Sequence, residues 1–218
     1  MEKLDNFYEK VNGGYIAIIL VIIFIVQTLI ARYFYLPTNP SYSMTTNYIS
    51  DLGAGPIETK LTITIAYIII SILLILFILY LVKDLKQRNA DLKKTQIIYI
   101  LGILAGISFL LLGIFHLDPE EPVAYEIHKV AAVMFFGCQG LVVLIYGSIE
   151  YKNPKMDGKL YMLSFFAGIL FLIFAIGFAI VEYSTLQRQA FVIVVEYIGA
   201  YSMLLWLFIK GIIFIRTK

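Results

Sequence analysis

The chain has 218 residues, of which 61% are hydrophobic and 15% charged, and its mean hydropathy is +0.87. That leaves too little polar surface to cover a water-soluble fold, so a soluble domain is excluded and an all-α integral membrane protein is indicated. A net charge of +2 is too small to suggest a nucleic-acid partner.

With about 20 apolar residues needed per crossing, the pattern predicts a bundle of six transmembrane helices in one domain, near 13–35, 61–82, 96–116, 126–149, 160–182 and 191–213. Met1–Lys10 is mixed in charge, and no small-residue cleavage pattern follows the first apolar run, so this helix is expected to be retained. Turn-forming residues separate the spans. Pro37, Pro40, Gly53, Gly55 and Pro56 fill the first connection, a charge run at Lys83–Lys94 the second, and Asp118-Pro119 and Glu121-Pro122 the third. Asn153-Pro154 and Asp157-Gly158 precede the fifth span. The lone Cys138 lies inside a span, where a free thiol behaves as a small hydrophobe.

Thirteen of the seventeen lysines and arginines fall on one side of this arrangement, among them Lys83, Lys86, Lys152 and Lys210. The positive-inside rule then predicts both termini in the cytoplasm and a multi-pass protein of the plasma membrane. Arg32, Lys60, Lys129 and Arg188 remain on the outer side, together with most acids of the apolar region and both histidines, His116 and His128.

Within helix three, Gly102, Gly106, Phe109, Gly113 and His116 recur at steps of four and three, which makes a single stripe. Glycines on such a stripe let another helix approach closely. Helix four repeats the device with His128, Ala132, Phe135, Gln139 and Tyr146, and Gln139 falls near mid-membrane, where an amide needs a partner. On helix six, Glu196 sits above Ala200 and Met203, within roughly 10 Å of the outer boundary. A carboxylate there is costly to insert unless it faces protein or water. It is a structural partner for Arg188 or Lys129, a protonated glutamate bonded to a tyrosine, or part of a site.

The first outer connection contains Ile49-Ser50-Asp51-Leu52-Gly53, a short helix or turn in which Ser50 or Asp51 serves as a cap. This stretch resembles the I-S-[DE]-L-G signature of a prokaryotic membrane family catalogued as domain of unknown function 998. Gly113-Ile114-Phe115-His116-Leu117-Asp118-Pro119 resembles that family's segment closing helix three, and His128 with Ala132 and Phe136 resembles its helix-four opening. His116 stands where the family commonly has proline. The family has no settled activity, so the resemblance implies a fold and candidate positions. More distantly, the chain resembles the ceramidase and progestin-receptor-like membrane hydrolases, whose Ser, Asp and His residues form a metal site. Those proteins use three histidines and seven helices, against two and six here.

Three functional readings follow. In the first, an outward pocket binds or processes a membrane lipid, with Ser50, Asp51, His128 and Glu196 as catalytic candidates and Asn47, Glu126, Gln139 and Arg188 as binding candidates. In the second, His116, His128 and Asp118 hold one zinc ion with an open position, as in a metal-dependent hydrolase. In the third, the chain is an accessory subunit packed against another membrane protein or a second copy of itself. The arginine–histidine motifs of lipid phosphate phosphatases are absent.

Overall fold

The computed structural model describes residues 7–156, 160–184 and 190–217. Six long helices, α1 (Gly13–Tyr35), α2 (Ile57–Gln87), α3 (Leu92–Ile114), α4 (Pro122–Lys152), α5 (Tyr161–Glu182) and α6 (Ala190–Arg216), follow one another along the chain, and the longest connection, between α1 and α2, carries a 3-10 helix (Ile49–Ala54). All six are long and apolar enough to cross a membrane. Helices satisfy their own backbone polar groups, which hydrocarbon cannot do.

Each helix packs on its neighbours in chain order, and α6 returns to pack on α1, closing a ring. An even number of crossings brings Gly13 and Arg216 to the same end of the bundle, here the terminal end; the 3-10 helix lies at the other, the capped end. Closure at the terminal end depends on small residues. A methyl group on Gly14 would meet the Gly211 carbonyl oxygen at 2.3 Å, so α1 and α6 touch backbone to backbone. Asn12 pins the same junction: its side-chain oxygen caps α1 by accepting from the Gly14 N–H at 2.8 Å, while its amide donates to the Phe214 carbonyl of α6 at 2.7 Å.

The glycine stripe of α3 faces α2. Added methyls at Gly102, Gly106 and Gly113 would strike Ile78, Ile75 and Tyr67 at 2.4–2.6 Å. Ser71 of α2 adds a hydrogen bond to the Gly106 carbonyl at 2.8 Å. Here the expected packing role is what the glycines perform.

Helix bounds differ from the apolar runs in an understandable way. α2 continues through Lys83–Gln87, because backbone hydrogen bonding does not stop where hydrophobicity does; just past its cap at Arg88, Asn89 with a φ of 55° supplies the left-handed residue that closes a helix. By contrast, α3 stops at Ile114, two residues short of His116. Phe115 is extended (φ −106°, ψ 111°), so the helical stripe does not reach that histidine, and this corrects the span drawn to 116.

Candidate functional site

A cavity of about 80 Å³ occupies the middle of the ring. All six helices and the 3-10 helix contribute to its wall. The wall is largely apolar, and eight of its 22 residues are Phe or Tyr. Phe135 stands 4.7 Å from Phe109, Phe136 lies 4.8 Å from Phe171 and 4.4 Å from Phe174, and Tyr67 lies 4.4 Å from Phe109, all between ring centroids. Such edge and tilted contacts fix the rings while leaving the centre of the ring empty. Five lining residues are polar: Ser50, Tyr67, His128, Gln139 and Glu196.

Four of these were candidates from the sequence, and helical spacing explains why they meet. His128, Ala132, Phe135 and Gln139 lie on one face of α4, and Glu196, Ala200, Met203 and Leu207 on one face of α6. His128 is 2% exposed and approaches the Phe115 carbonyl through Nδ1 at 2.6 Å. A carbonyl only accepts, so Nδ1 carries the proton and Nε2 is the acceptor of the neutral ring. The extended turn at Phe115 that ends α3 is what aims this carbonyl at α4.

Glu196 is 4% exposed, and its Oε2 accepts from the Ile49 N–H at 2.9 Å. That bond ties the 3-10 helix to α6 and places Ile49 and Ser50 over the cavity. A second tie joins Tyr42 to Tyr197, hydroxyl to hydroxyl at 2.7 Å, and Tyr42 also reaches the Tyr48 carbonyl at 3.3 Å. Burial, with Tyr197 and two carboxylates nearby, pushes the Tyr42 phenol far above its ordinary range, so it stays a donor. Tyr48 is fully buried and packs edge-on against Phe178 and Phe174, completing the cap.

Gln139 lies deeper. Its amide nitrogen points at the Met203 sulfur at 3.9 Å, and its buried Oε1 has no hydrogen-bond partner among the described residues. The interhelical bond anticipated for it is thus only the weak contact with a thioether.

The remaining candidates lie elsewhere. Asp51 is buried in the turn beside the cavity, where Oδ2 accepts from the Tyr48 N–H at 3.0 Å and from Asn47 at 3.3 Å; both residues hold the 3-10 helix in shape. Glu126 is exposed and pairs with Lys129 at 2.5 Å. Arg188 lies outside the described residues. Asp118 bonds Lys60 at 2.8 Å, and His116 shares a 3.0 Å hydrogen bond with Thr64. Among the described residues no group of three or more His, Cys, Asp or Glu side chains could hold a metal ion. His116 and Asp118 are instead committed to α2.

Two pKa shifts mark that connection. Burial, reinforced by the Lys60 charge, holds His116 below its ordinary range. The hydrogen bond from Lys60 holds Asp118 below the usual carboxylate range.

A second polar cluster, near the terminal end, went unrecognised in the sequence. Glu150 of α4 and Lys210 of α6 form an ion pair with both side chains 2% exposed. Ser164 of α5 donates to the other Glu150 oxygen at 2.6 Å and accepts from the Trp206 indole at 2.8 Å. The Lys210 ammonium also lies 5.0 Å from the centre of the Tyr146 ring. Lys210 therefore is an interior residue and not one of the flanking surface charges. Its signal was available: Lys210 continues the Glu196, Ala200, Met203, Leu207 stripe at a step of three.

Fold and site together define a class, a multi-pass helical membrane protein whose six helices surround a capped, mostly apolar cavity. Residues 17–212 match the family model described as "Protein of unknown function (DUF998)", and the chain belongs to that family. Neither a curated protein nor a solved structure matches it.

Proposed function

We propose that the chain binds an amphipathic membrane molecule in this cavity, with its apolar body along the aromatic wall and its polar end beneath the cap. The observation that carries the reading is a cavity lined by all six helices in which the polar groups are few and two of them, His128 and Glu196, share the capped end. Its lining, apolar with a few placed polar groups, is the pattern typical of small-molecule sites. By the lysine and arginine distribution, the capped end faces outward and the termini face the cytoplasm, so the ligand comes from the outer leaflet of the plasma membrane.

Organic extraction of protein purified in mild detergent, followed by mass spectrometry, tests this. The wild type should yield a specific, nearly equimolar molecule. Ala200→Trp, which fills the cavity from α6, should lose it while remaining monodisperse. The same molecules in equal amount from both proteins would mean surface lipid and contradict the reading. Stoichiometric zinc, lost on His128→Ala, would favour a metal-dependent hydrolase instead.

A further inference from the structure

At the terminal end, the lysines of the α3–α4 seam lack the carboxylate partners that lysines at the capped end have. There Lys60 pairs with Asp118, and Lys129 with Glu126. Lys93 and Lys94 open α3, and Lys152 ends α4. None of these three makes an ion pair among the described residues. The Lys94 ammonium instead crosses the seam and donates to the Ser148 hydroxyl of α4 at 2.8 Å. Ser148 and Lys152 are four residues apart, one turn of α4, so this bond gathers Lys94 and Lys152 into one patch. An ammonium has three donors, and Ser148 takes one of those on Lys94.

Helical spacing places the patch at the edge of the lipid-facing surface. Lys93, Ile97, Ile100, Leu104 and Ile107 are exposed and recur at steps of four and three along α3. On α4, Leu141, Ile145, Ser148 and Lys152 form the matching stripe, exposed at both ends. Each stripe thus ends in a lysine at the same end of the bundle. Twenty residues, about 30 Å at 1.5 Å each, separate Lys94 from Ile114 at the far end of α3. That is the thickness of the hydrocarbon layer, so Lys94 lies at headgroup level. Leu92 and Tyr151, 72% and 64% exposed, flank the patch as apolar groups at a membrane boundary.

The described acids nearby do not neutralise it. Asp84 pairs with Arg88, and Glu150 pairs with Lys210 inside the bundle. Asp91 caps α3 by accepting from the Lys94 backbone N–H at 3.1 Å, which leaves three ammoniums against one carboxylate. The backbone that presents them is held in place. Arg88 donates to the Lys155 carbonyl at 2.8 Å, and its own carbonyl accepts from the Asn153 amide at 3.2 Å. These bonds join the α2–α3 connection to the chain after α4, so an arriving anion meets charges already positioned.

We infer that Lys94 and Lys152, with Lys93 beside them, hold the phosphate head of an anionic phospholipid from the surrounding leaflet. Its chains lie along the exposed stripes of α3 and α4. A lipid fits better than an acidic protein, because the patch sits where two lipid-facing stripes meet the membrane surface. The site is separate from the central cavity and does not depend on what the cavity holds.

The test uses full-length, delipidated protein and phosphatidylglycerol, phosphatidylethanolamine and phosphatidylcholine of identical acyl chains, with binding read by native mass spectrometry. Phosphatidylglycerol should bind at least about tenfold more tightly than either zwitterion, a difference of about 1.4 kcal/mol. Lys94→Gln with Lys152→Gln should cut that preference to about threefold or less. Lys86→Gln with Lys155→Gln, at two exposed lysines of the adjoining connections, should leave it intact. Equal binding of the three lipids by wild type overturns the proposal and leaves the lysines to an acidic protein. A preference reduced as much by the second pair of changes as by the first also overturns it, because net charge and not this patch is then responsible. If inorganic phosphate displaces phosphatidylglycerol at matched concentration, the patch is a site for the free ion and the lipid assignment is wrong. The three-lipid comparison on wild type stands whether or not either variant folds.

Discussion

The two buried polar clusters of this bundle differ in where their hydrogen bonds go. Near the terminal end, Glu150, Ser164, Trp206 and Lys210 answer one another across α4, α5 and α6. At the cavity, Glu196 and His128 make bonds to backbone that position them, and Gln139 keeps an acceptor with no partner among the described residues. A closed network specifies how three helices meet. A buried acceptor left without a partner costs stability instead.

The largest effect that would break this comparison comes from the closed cluster. Lys210→Met leaves Glu150 as an unpaired buried charge and should cost about 3–5 kcal/mol in thermal or denaturant unfolding. The double change Glu150→Gln with Lys210→Met should recover most of that loss, because it removes the charge along with its partner. Equal destabilisation by the single and double variants would mean the pair is not the buried unit described.

Next comes the cap. Glu196→Ala removes the acceptor of the Ile49 N–H and should cost about 1–3 kcal/mol, seen as faster hydrogen exchange across the 3-10 helix. Glu196→Gln retains an acceptor oxygen and should stay near wild type in the same experiment. Identical exchange in all three proteins would show that Glu196 does not hold the cap.

Gln139 gives the sharpest contrast in sign. Gln139→Leu deletes an unpaired buried acceptor and should raise the stability of ligand-free protein by about 1 kcal/mol. Ser164→Ala in the closed network should lower it by about 1–3 kcal/mol. If both variants destabilise alike, Gln139 is a structural residue like Ser164.

The smallest effect is on pH dependence. His116 binds its proton less readily in the folded chain than at its ordinary value of 6.5, so its contribution is complete above about pH 6.5 and declines as pH falls through that value toward the folded pKa. Asp118, held below its ordinary value of 3.8 by Lys60, adds a loss only once pH drops into the carboxylate range. His116→Asn should flatten the first decline and leave the second.

Periodicity made much of this legible. The α3 glycine stripe and the inward α4 face follow from 3.6-residue spacing alone, and both depend only on neighbours within one helix. What stayed hidden is non-local. Lys210 continues the inward α6 stripe, but nothing within α6 reveals that ring closure brings Glu150 to meet it. The cavity is hidden for a similar reason: Phe109, Phe135 and Phe174 at helical spacing are indistinguishable from a packed core until the ring is closed around them. Tyr67, on the cavity wall, carried no motif at all. Asp51 and Ser50 are adjacent in sequence yet part company, one capping the turn and the other facing the cavity, because a 3-10 turn sends successive side chains in different directions.

The central claim is that the aromatic ring of helices encloses a bound molecule whose head lies beneath the 3-10 cap. A structure determined from protein in lipid nanodiscs tests it most directly. The account predicts elongated density along Phe109, Phe135 and Phe174, ending within hydrogen-bond distance of Glu196 or His128. A cavity filled by rearranged side chains, or one holding only water in protein shown to retain its native lipids, would contradict it.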